Sequence, residues 1–177
     1  MKKSIYITGI AGSGKSTISK ALKALGYETY DIEDDRYGLF IMVRKDTGER
    51  YMDYDNTDLN EVNNARWVCD KDKLKNLVNN QVNDLAFYCG IASDNVDLMP
   101  LFDLSILLQT KPEVLDRRLL SREGTDNYGN TEAGRLRILS HKEESEKKFI
   151  KAGMVAVDAN SNPEDVARNI IKVINNL

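Results

Sequence analysis

The chain has 177 residues, enough for one domain with a substantial core. Its 28 acidic and 25 basic residues leave a formal charge of −3, which argues against general attraction to nucleic acid or an anionic membrane. No run is long and apolar enough to cross a bilayer, and Cys69 and Cys89 lack metal-ligand spacing, so they read as reduced core thiols.

In chain order, residues 4–8 (Ser-Ile-Tyr-Ile-Thr) read as a buried strand. Gly9-Ile10-Ala11-Gly12-Ser13-Gly14-Lys15-Ser16 follows, with the spacing G-x-x-x-x-G-K-[ST]. Residues 17–25 then read as a helix with Ile18, Ala21, Leu22 and Leu25 on one face and Gly26 as its stop. Strand, glycine loop and helix in that order form a phosphate cradle. Main-chain N–H groups from Gly9, Ala11, Gly12, Ser13, Gly14, Lys15, Ser16 and Thr17 converge on anionic oxygens at a positive helix terminus. Lys15 reaches the β- and γ-phosphates, and the Ser16 hydroxyl takes a Mg²⁺ position. The motif therefore predicts a nucleoside triphosphate site. It also overrides the signal-like start Met1-Lys2-Lys3, because cleavage there would destroy the loop, so a cytoplasmic protein is expected.

Residues 28–30 form a second expected strand, ending in the acidic cluster Asp31-Ile32-Glu33-Asp34-Asp35. The Asp46-Thr47-Gly48-Glu49 turn, between residues 41–44 and 51–54, predicts a hairpin or helix-turn insertion over residues 39–56. Leu74, Leu77, Val78, Gln81 and Val82 fall at helical spacing, residues 85–89 read as a strand closed by Gly90, and residues 104–108 as the most apolar strand. Pro112 opens an amphipathic helix through Leu120. A polar, glycine-containing stretch at 123–134, between two arginine-bearing helices, is expected to be a lid. Residues 154–157 form the last strand, followed by a helix entered at Asn162-Pro163-Glu164. The alternation predicts an α/β fold with a parallel sheet and helices on both faces.

The loop Gly9-x-x-Gly12-x-Gly14-Lys15-Ser16, then Arg118-Leu119-x-x-Arg122, then Arg135-Leu136 resembles the small P-loop kinases, a group of nucleoside-monophosphate, shikimate and gluconate kinases. The resemblance implies a three-layer α/β/α P-loop NTPase fold with a five-stranded parallel sheet, a lid and an acceptor-side insertion, spanning residues 1–177 as one kinase domain. It implies ATP and Mg²⁺. Arg118 would pack against the adenine, Arg122 would bind the transferring phosphates, and Arg135 would reach the same phosphoryl group. Planar, permanently charged Arg suits three equatorial phosphoryl oxygens. Asp31-x-Glu33 resembles the D-x-D of shikimate-type kinases, where the first carboxylate assists Mg²⁺ and can accept the substrate proton. Glu33, Asp34 and Gly90 would lie against the acceptor, with Tyr37, Arg44 and Arg66 as further contacts. Asp158 and Ala159 fall where that family passes a loop across the adenine edge. Cys89-Gly90-Ile91-Ala92 departs from the glycine-rich segments of both shikimate and adenylate kinases, which leaves the acceptor open among nucleotide, nucleoside and hydroxylated metabolite.

Simpler readings compete at several positions. The acidic cluster also fits a helix N-terminus, where the dipole favours carboxylates. His141, the single histidine, lies on a charged helix and leaves no histidine-based zinc or nucleophile chemistry. Trp67 reads as core. Two rival functions stay open: an ATP-binding switch with no acceptor, and a kinase of nucleic-acid ends, against which the acidic balance argues. The expected partner is a small molecule, and the chain is expected to be a monomer or homodimer.

Overall fold

The computed structural model describes residues 2–122 and 128–177. Five strands, β1 (Lys3–Thr8), β2 (Glu28–Asp31), β5 (Leu85–Cys89), β6 (Leu104–Gln109) and β7 (Val155–Asp158), form one sheet in the order β2-β5-β1-β6-β7. Every pairing in it is parallel. Between them lie α1 (Lys15–Ala24), α3 (Lys71–Asn79), α4 (Asn95–Leu98), α5 (Pro112–Leu120), α6 (Glu132–Lys151) and α7 (Pro163–Asn175). This is the expected three-layer α/β/α arrangement.

The layers follow from period-two alternation. Ile5, Ile7, Phe87, Ile106 and Leu108 point to one face, where they meet Ile18 and Leu22 of α1 and Val166, Ile170 and Ile174 of α7. Tyr6, Ala86, Tyr88 and Leu107 point to the other, against Leu74 of α3, Leu98 of α4 and Phe149 of α6. The inner strands β5, β1 and β6 are covered on both faces and carry continuous apolar runs, which is why they could be read from sequence, whereas the edge strands β2 and β7 are only partly covered.

Both thiols are free and buried. Burial pushes Cys69 and Cys89 up to about 12, with the Asp70 and Asp31 charges respectively adding to it. The thiols therefore stay protonated in the folded chain at neutral pH. A thiol released by unfolding ionises near its ordinary value, so its contribution to stability is whole below about pH 8.5 and is lost as pH rises towards 12. Two outcomes are expected: alkylation of either cysteine tracks global unfolding, and the urea midpoint falls between pH 9 and 11. Rapid labelling of the native protein at pH 7 contradicts this account.

The insertion differs from the expected hairpin. Residues 41–44 and 51–54 form no regular ladder, although the Tyr51 N–H donates to the Met42 carbonyl at 2.8 Å. Instead β3 (Phe40–Arg44) pairs antiparallel with β4 (Ala65–Cys69), and residues 45–64 form an excursion containing α2 (Leu59–Asn64). The Asp46–Glu49 turn does exist, closed by the Arg44 N–H on the Glu49 carbonyl, and it is continued by the Val43–Arg50 bridge and the Tyr51–Met42 bond but by no strand. Trp67 lies half-buried on β4, stacked on Phe40 with ring centroids 5.3 Å apart, rather than inside the core. The helix expected to reach Val82 stops at Asn79, and Val82 is exposed. No helix among the described residues is long and apolar enough to cross a membrane.

Candidate functional site

The site is organised by what happens at the carboxyl end of β1. The chain turns through the glycine loop and enters α1 at Gly14, whose φ of 104° is a left-handed conformation that side chains rarely adopt. The turn is closed by the Ser13 N–H on the Ile10 carbonyl, at 3.1 Å. Lys15 folds back over the loop. Its Nζ donates to the carbonyls of Gly9 at 3.1 Å and Ile10 at 3.3 Å, and the residue is 7% exposed. Ser16 and Thr17, in the first turn of α1, are exposed.

These residues fit a polyphosphate. A buried ammonium sits across a loop whose main chain turns into a helix N-terminus. Among the described residues, the buried hydroxyl of Ser13 meets no hydrogen-bond partner. A nucleotide phosphate is the group whose charge and acceptors match such a set.

Arg118 braces the loop. Its Nη1 donates to the Ser13 carbonyl at 3.2 Å and its Nη2 to the Ala159 carbonyl at 2.8 Å. One guanidinium thus ties the phosphate loop to the segment after β7. That segment is ordered by its own contacts. Asp158 accepts from the Asn160 N–H and side-chain amide, and the first of these bonds leads in holding its carboxyl below the usual range. Ala159 donates to the Gln109 carbonyl. The residues expected around an adenine are therefore brought together with the loop.

Across the sheet, Asp31 ends β2 in register with Cys89, and the charges of Asp31 and Lys15 both act on that thiol. Asp31 is half-buried at the carboxyl edge of the sheet. Its acidic neighbours have structural duties. Glu33 accepts from the Ile91 N–H at 2.9 Å, fixing the turn after β5. Asp34 caps a 3-10 turn (Asp35–Tyr37) by accepting from the Arg36 N–H and pairs with the Arg36 guanidinium, which holds its carboxyl at about 2. Gly90 is required by packing, since a Cβ there would lie 2.4 Å from Cγ1 of Ile32. Arg66 pairs with Asp94, and Arg44 lies 3.9 Å over the Tyr51 ring. Tyr37 packs edge-on against Tyr30, with centroids 5.9 Å apart.

Residues 123–127 of the expected lid lie outside the described residues. The rest is a turn at 128–130 that enters α6, capped by the Thr131 hydroxyl on the Gly134 N–H. Arg122 donates to the Tyr128 carbonyl at 3.0 Å. Arg135 donates to Asp116 of α5 at 3.2 Å and to the Asn130 carbonyl at 2.7 Å, so it locks α6 to α5.

A residue not picked out from the sequence takes the central position. Arg137 donates through Nε to the Asn63 side chain at 2.9 Å and through Nη1 to the Tyr128 hydroxyl at 3.1 Å. Tyr128 packs against Ile10, Leu115, Leu119 and Ile138 beside the phosphate loop. Burial pushes the Tyr54 hydroxyl up to about 12, and Tyr128, Arg137 and Glu61 lie close enough to act on it. Arg137 therefore joins the loop side of the site to the insertion. Its signal in the sequence was the pair Arg135-Leu136-Arg137, which spacing alone cannot resolve.

Among the described residues, no three His, Cys, Asp or Glu side chains are gathered to hold a metal.

The solved structures that resemble this chain agree with the fold. A shikimate kinase from Bacteroides thetaiotaomicron matches with a TM-score of 0.63 and 18% identity, over 98% of each chain. A shikimate kinase from Acinetobacter baumannii in complex with shikimate matches at 0.64 and 17%, over 99% of this chain and 94% of that one. A deoxyadenosine kinase from M. mycoides with bound dATP matches at 0.59 and 20%, over 99% and 100%. No curated protein matches the sequence. The architecture is that of the small P-loop kinases, and the family model described as an AAA domain matches residues 5–137, three quarters of the chain. The chain belongs to that AAA-domain family.

Proposed function

We propose that the protein transfers the γ-phosphoryl group of ATP, with Mg²⁺, to a small acceptor: a nucleotide, a nucleoside or a hydroxylated metabolite. The observation that carries this reading is the buried Lys15 ammonium held over a glycine loop, with Asp31 at the neighbouring sheet edge and arginines approaching from the opposite side. The fold shared with enzymes named as shikimate and deoxyadenosine kinases supports a small acceptor.

In this reading the loop amides and Lys15 bind the β- and γ-phosphates, and Arg118 holds the loop and the 158–160 segment at a fixed separation for the base. Ser16 and Asp31 would hold Mg²⁺, which when bound neutralises charge on the bridging oxygens. Asp31 takes the acceptor hydroxyl proton. Arg122 and Arg137 meet the charge that spreads over the equatorial oxygens, and the Arg137 donors now rest on the neutral Asn63 side chain and Tyr128 hydroxyl. Arg135 keeps α6 seated on α5 through Asp116. The Glu33, Asp34 and Gly90 segment shapes the wall of the acceptor site.

The test is coupled ADP release with MgATP and a panel of nucleosides, nucleoside monophosphates and hydroxylated carboxylic acids. One member is expected to accelerate turnover at least tenfold over hydrolysis in its absence. Arg137→Ala is expected to lower that kcat by about 10²-fold, with Arg137→Lys restoring part of it. Equal rates with every compound, in wild type and variant alike, contradict the proposal.

A further inference from the structure

Four consecutive residues after β5 are each tied to a different part of the chain. The Gly90 N–H donates to the Ile7 carbonyl of β1 at 3.0 Å, and the Ile91 N–H to Glu33 beyond β2 at 2.9 Å. The Ala92 N–H donates to Asn95 Oδ1 of α4 at 2.7 Å, and the Ser93 N–H to the Trp67 carbonyl of β4 at 2.9 Å. With its main-chain donors so committed, the segment is held in one shape.

A buried side-chain bond underlies it. Tyr6, fully buried on β1, donates its hydroxyl to the same Asn95 Oδ1 at 2.7 Å, and the Gly90 carbonyl lies 3.2 Å from that hydroxyl. The Tyr6 ring is stacked on Phe102 with centroids 5.0 Å apart, which fixes where the hydroxyl points. Burial pushes the phenol far above its ordinary range, so it remains a donor at neutral pH; Thr8 and Glu33 lie close enough to act on it. Asn95 is 2% exposed, and its Nδ2 meets no hydrogen-bond partner among the described residues. An unpaired buried amide donor is costly, so packing alone does not account for an asparagine here. What it supplies is one acceptor oxygen shared by Tyr6 and Ala92.

Position gives the bond its consequence. Tyr6 lies three residues ahead of Gly9, on the strand that runs into the phosphate loop. One hydroxyl therefore fixes the 90–92 segment against the strand that carries the loop.

We infer that Tyr6 and Asn95 are a positioning pair, setting the distance between an acceptor seated against residues 90–92 and the γ-phosphate held by the loop; this rests on the phosphotransfer reading above. Both side chains are buried and act through the main chain of that segment, not by touching a reactant. Phosphoryl transfer is sensitive to such placement, since a displacement of about 1 Å costs about 10²-fold in rate. Water is small and needs no wall to approach the phosphate. A loosened wall therefore penalises the acceptor more than it penalises hydrolysis.

The experiment uses full-length wild type, Tyr6→Phe, Asn95→Leu and the double variant with γ-³²P-ATP, Mg²⁺ and the panel of nucleosides, nucleoside monophosphates and hydroxylated carboxylic acids. Labelled acceptor and inorganic phosphate are both counted, and urea midpoints are measured alongside. Tyr6→Phe keeps the ring on Phe102 and removes one oxygen. It is expected to lower the ratio of acceptor phosphorylation to hydrolysis about tenfold, through kcat and not through the KM for MgATP. Asn95→Leu should lower the ratio similarly, and the double variant should be no worse than Asn95→Leu alone, because the two residues share one bond. A purely structural role predicts a lower midpoint with an unchanged ratio. That result overturns the inference and leaves the phosphotransfer reading intact, as do losses that multiply in the double variant. If Asn95→Leu does not fold, Tyr6→Phe decides alone. If wild type phosphorylates no compound, the phosphotransfer reading fails and the inference with it.

Discussion

Lys15→Met is expected to reduce nucleotide-dependent turnover by about 10²–10³-fold while the circular dichroism spectrum stays native. Methionine keeps the length and apolar stem of lysine and removes only the ammonium. That group is 7% exposed and bonded to two main-chain carbonyls of the loop. In the free protein it neutralises those carbonyl dipoles; on phosphate binding it is the one full positive charge the loop itself supplies. Loss of the bonds costs some stability, since the Gly9 and Ile10 carbonyls lose their charged donor. The loss of turnover should far exceed what this small destabilisation can explain. The check is steady-state kinetics beside calorimetric titration with MgATP. A variant that binds and turns over nucleotide like wild type would remove the phosphate cradle from the account.

The second large effect lies beneath the loop. Leu119 is fully buried in a small cluster with Ile10, Leu115 and Ile138, against which Tyr128 packs. A Cβ on Gly12 would come within 3.0 Å of Leu119, and so would one on Gly129, so this side chain is the floor under both the phosphate loop and the turn that leads into α6. Leu119→Ala is therefore expected to cost about 2–5 kcal/mol of stability, the usual range for truncating a buried leucine. It should also weaken MgATP binding, because the loop loses the surface that sets its height. Urea unfolding measures the first, with the midpoint falling and the slope unchanged, and calorimetry the second. A midpoint shift worth less than about 1 kcal/mol would mean that this cluster collapses around the gap and does not support the loop.

These two residues show where the sequence was informative. Lys15 was legible because its chemistry is local: eight consecutive residues carry the turn, the amides and the ammonium. The five parallel strands were legible for a related reason. The three inner strands are covered on both faces, so an apolar run such as residues 104–108 appears without reference to any partner. Strand β4 was not legible. Its sequence Ala-Arg-Trp-Val-Cys mixes charge and apolar residues because it is half-buried, and its partner β3 lies beyond an excursion of twenty residues at 45–64. The Asp46–Glu49 signal was real but local, and a local turn does not specify which strand completes the ladder.

The arginines follow the same rule. The four-residue spacing of Arg118 and Arg122 predicts one shared helix face, but α5 ends at Leu120 and Arg122 lies beyond it. What each one touches was not accessible, since Arg118 reaches carbonyls 105 and 41 residues away in sequence. Arg135 and Arg137 differ by two positions and so diverge around α6: one meets Asp116 of α5, the other Asn63, 74 residues distant. Only the packed structure separates the residue that seats the helix from the one that faces the insertion. The acidic cluster divides likewise. Asp34 became the cap that its helix-start pattern allowed, whereas Asp31 lies at the sheet edge beside the loop.

The central claim is transfer to a small molecule, and it is tested most directly by following the label of γ-³²P-ATP. Incubated with the protein, Mg²⁺ and an accelerating acceptor, the label is predicted to move into a new low-molecular-weight species that depends on both the acceptor and Lys15. Label appearing only as inorganic phosphate, at the same rate with every acceptor, would contradict it.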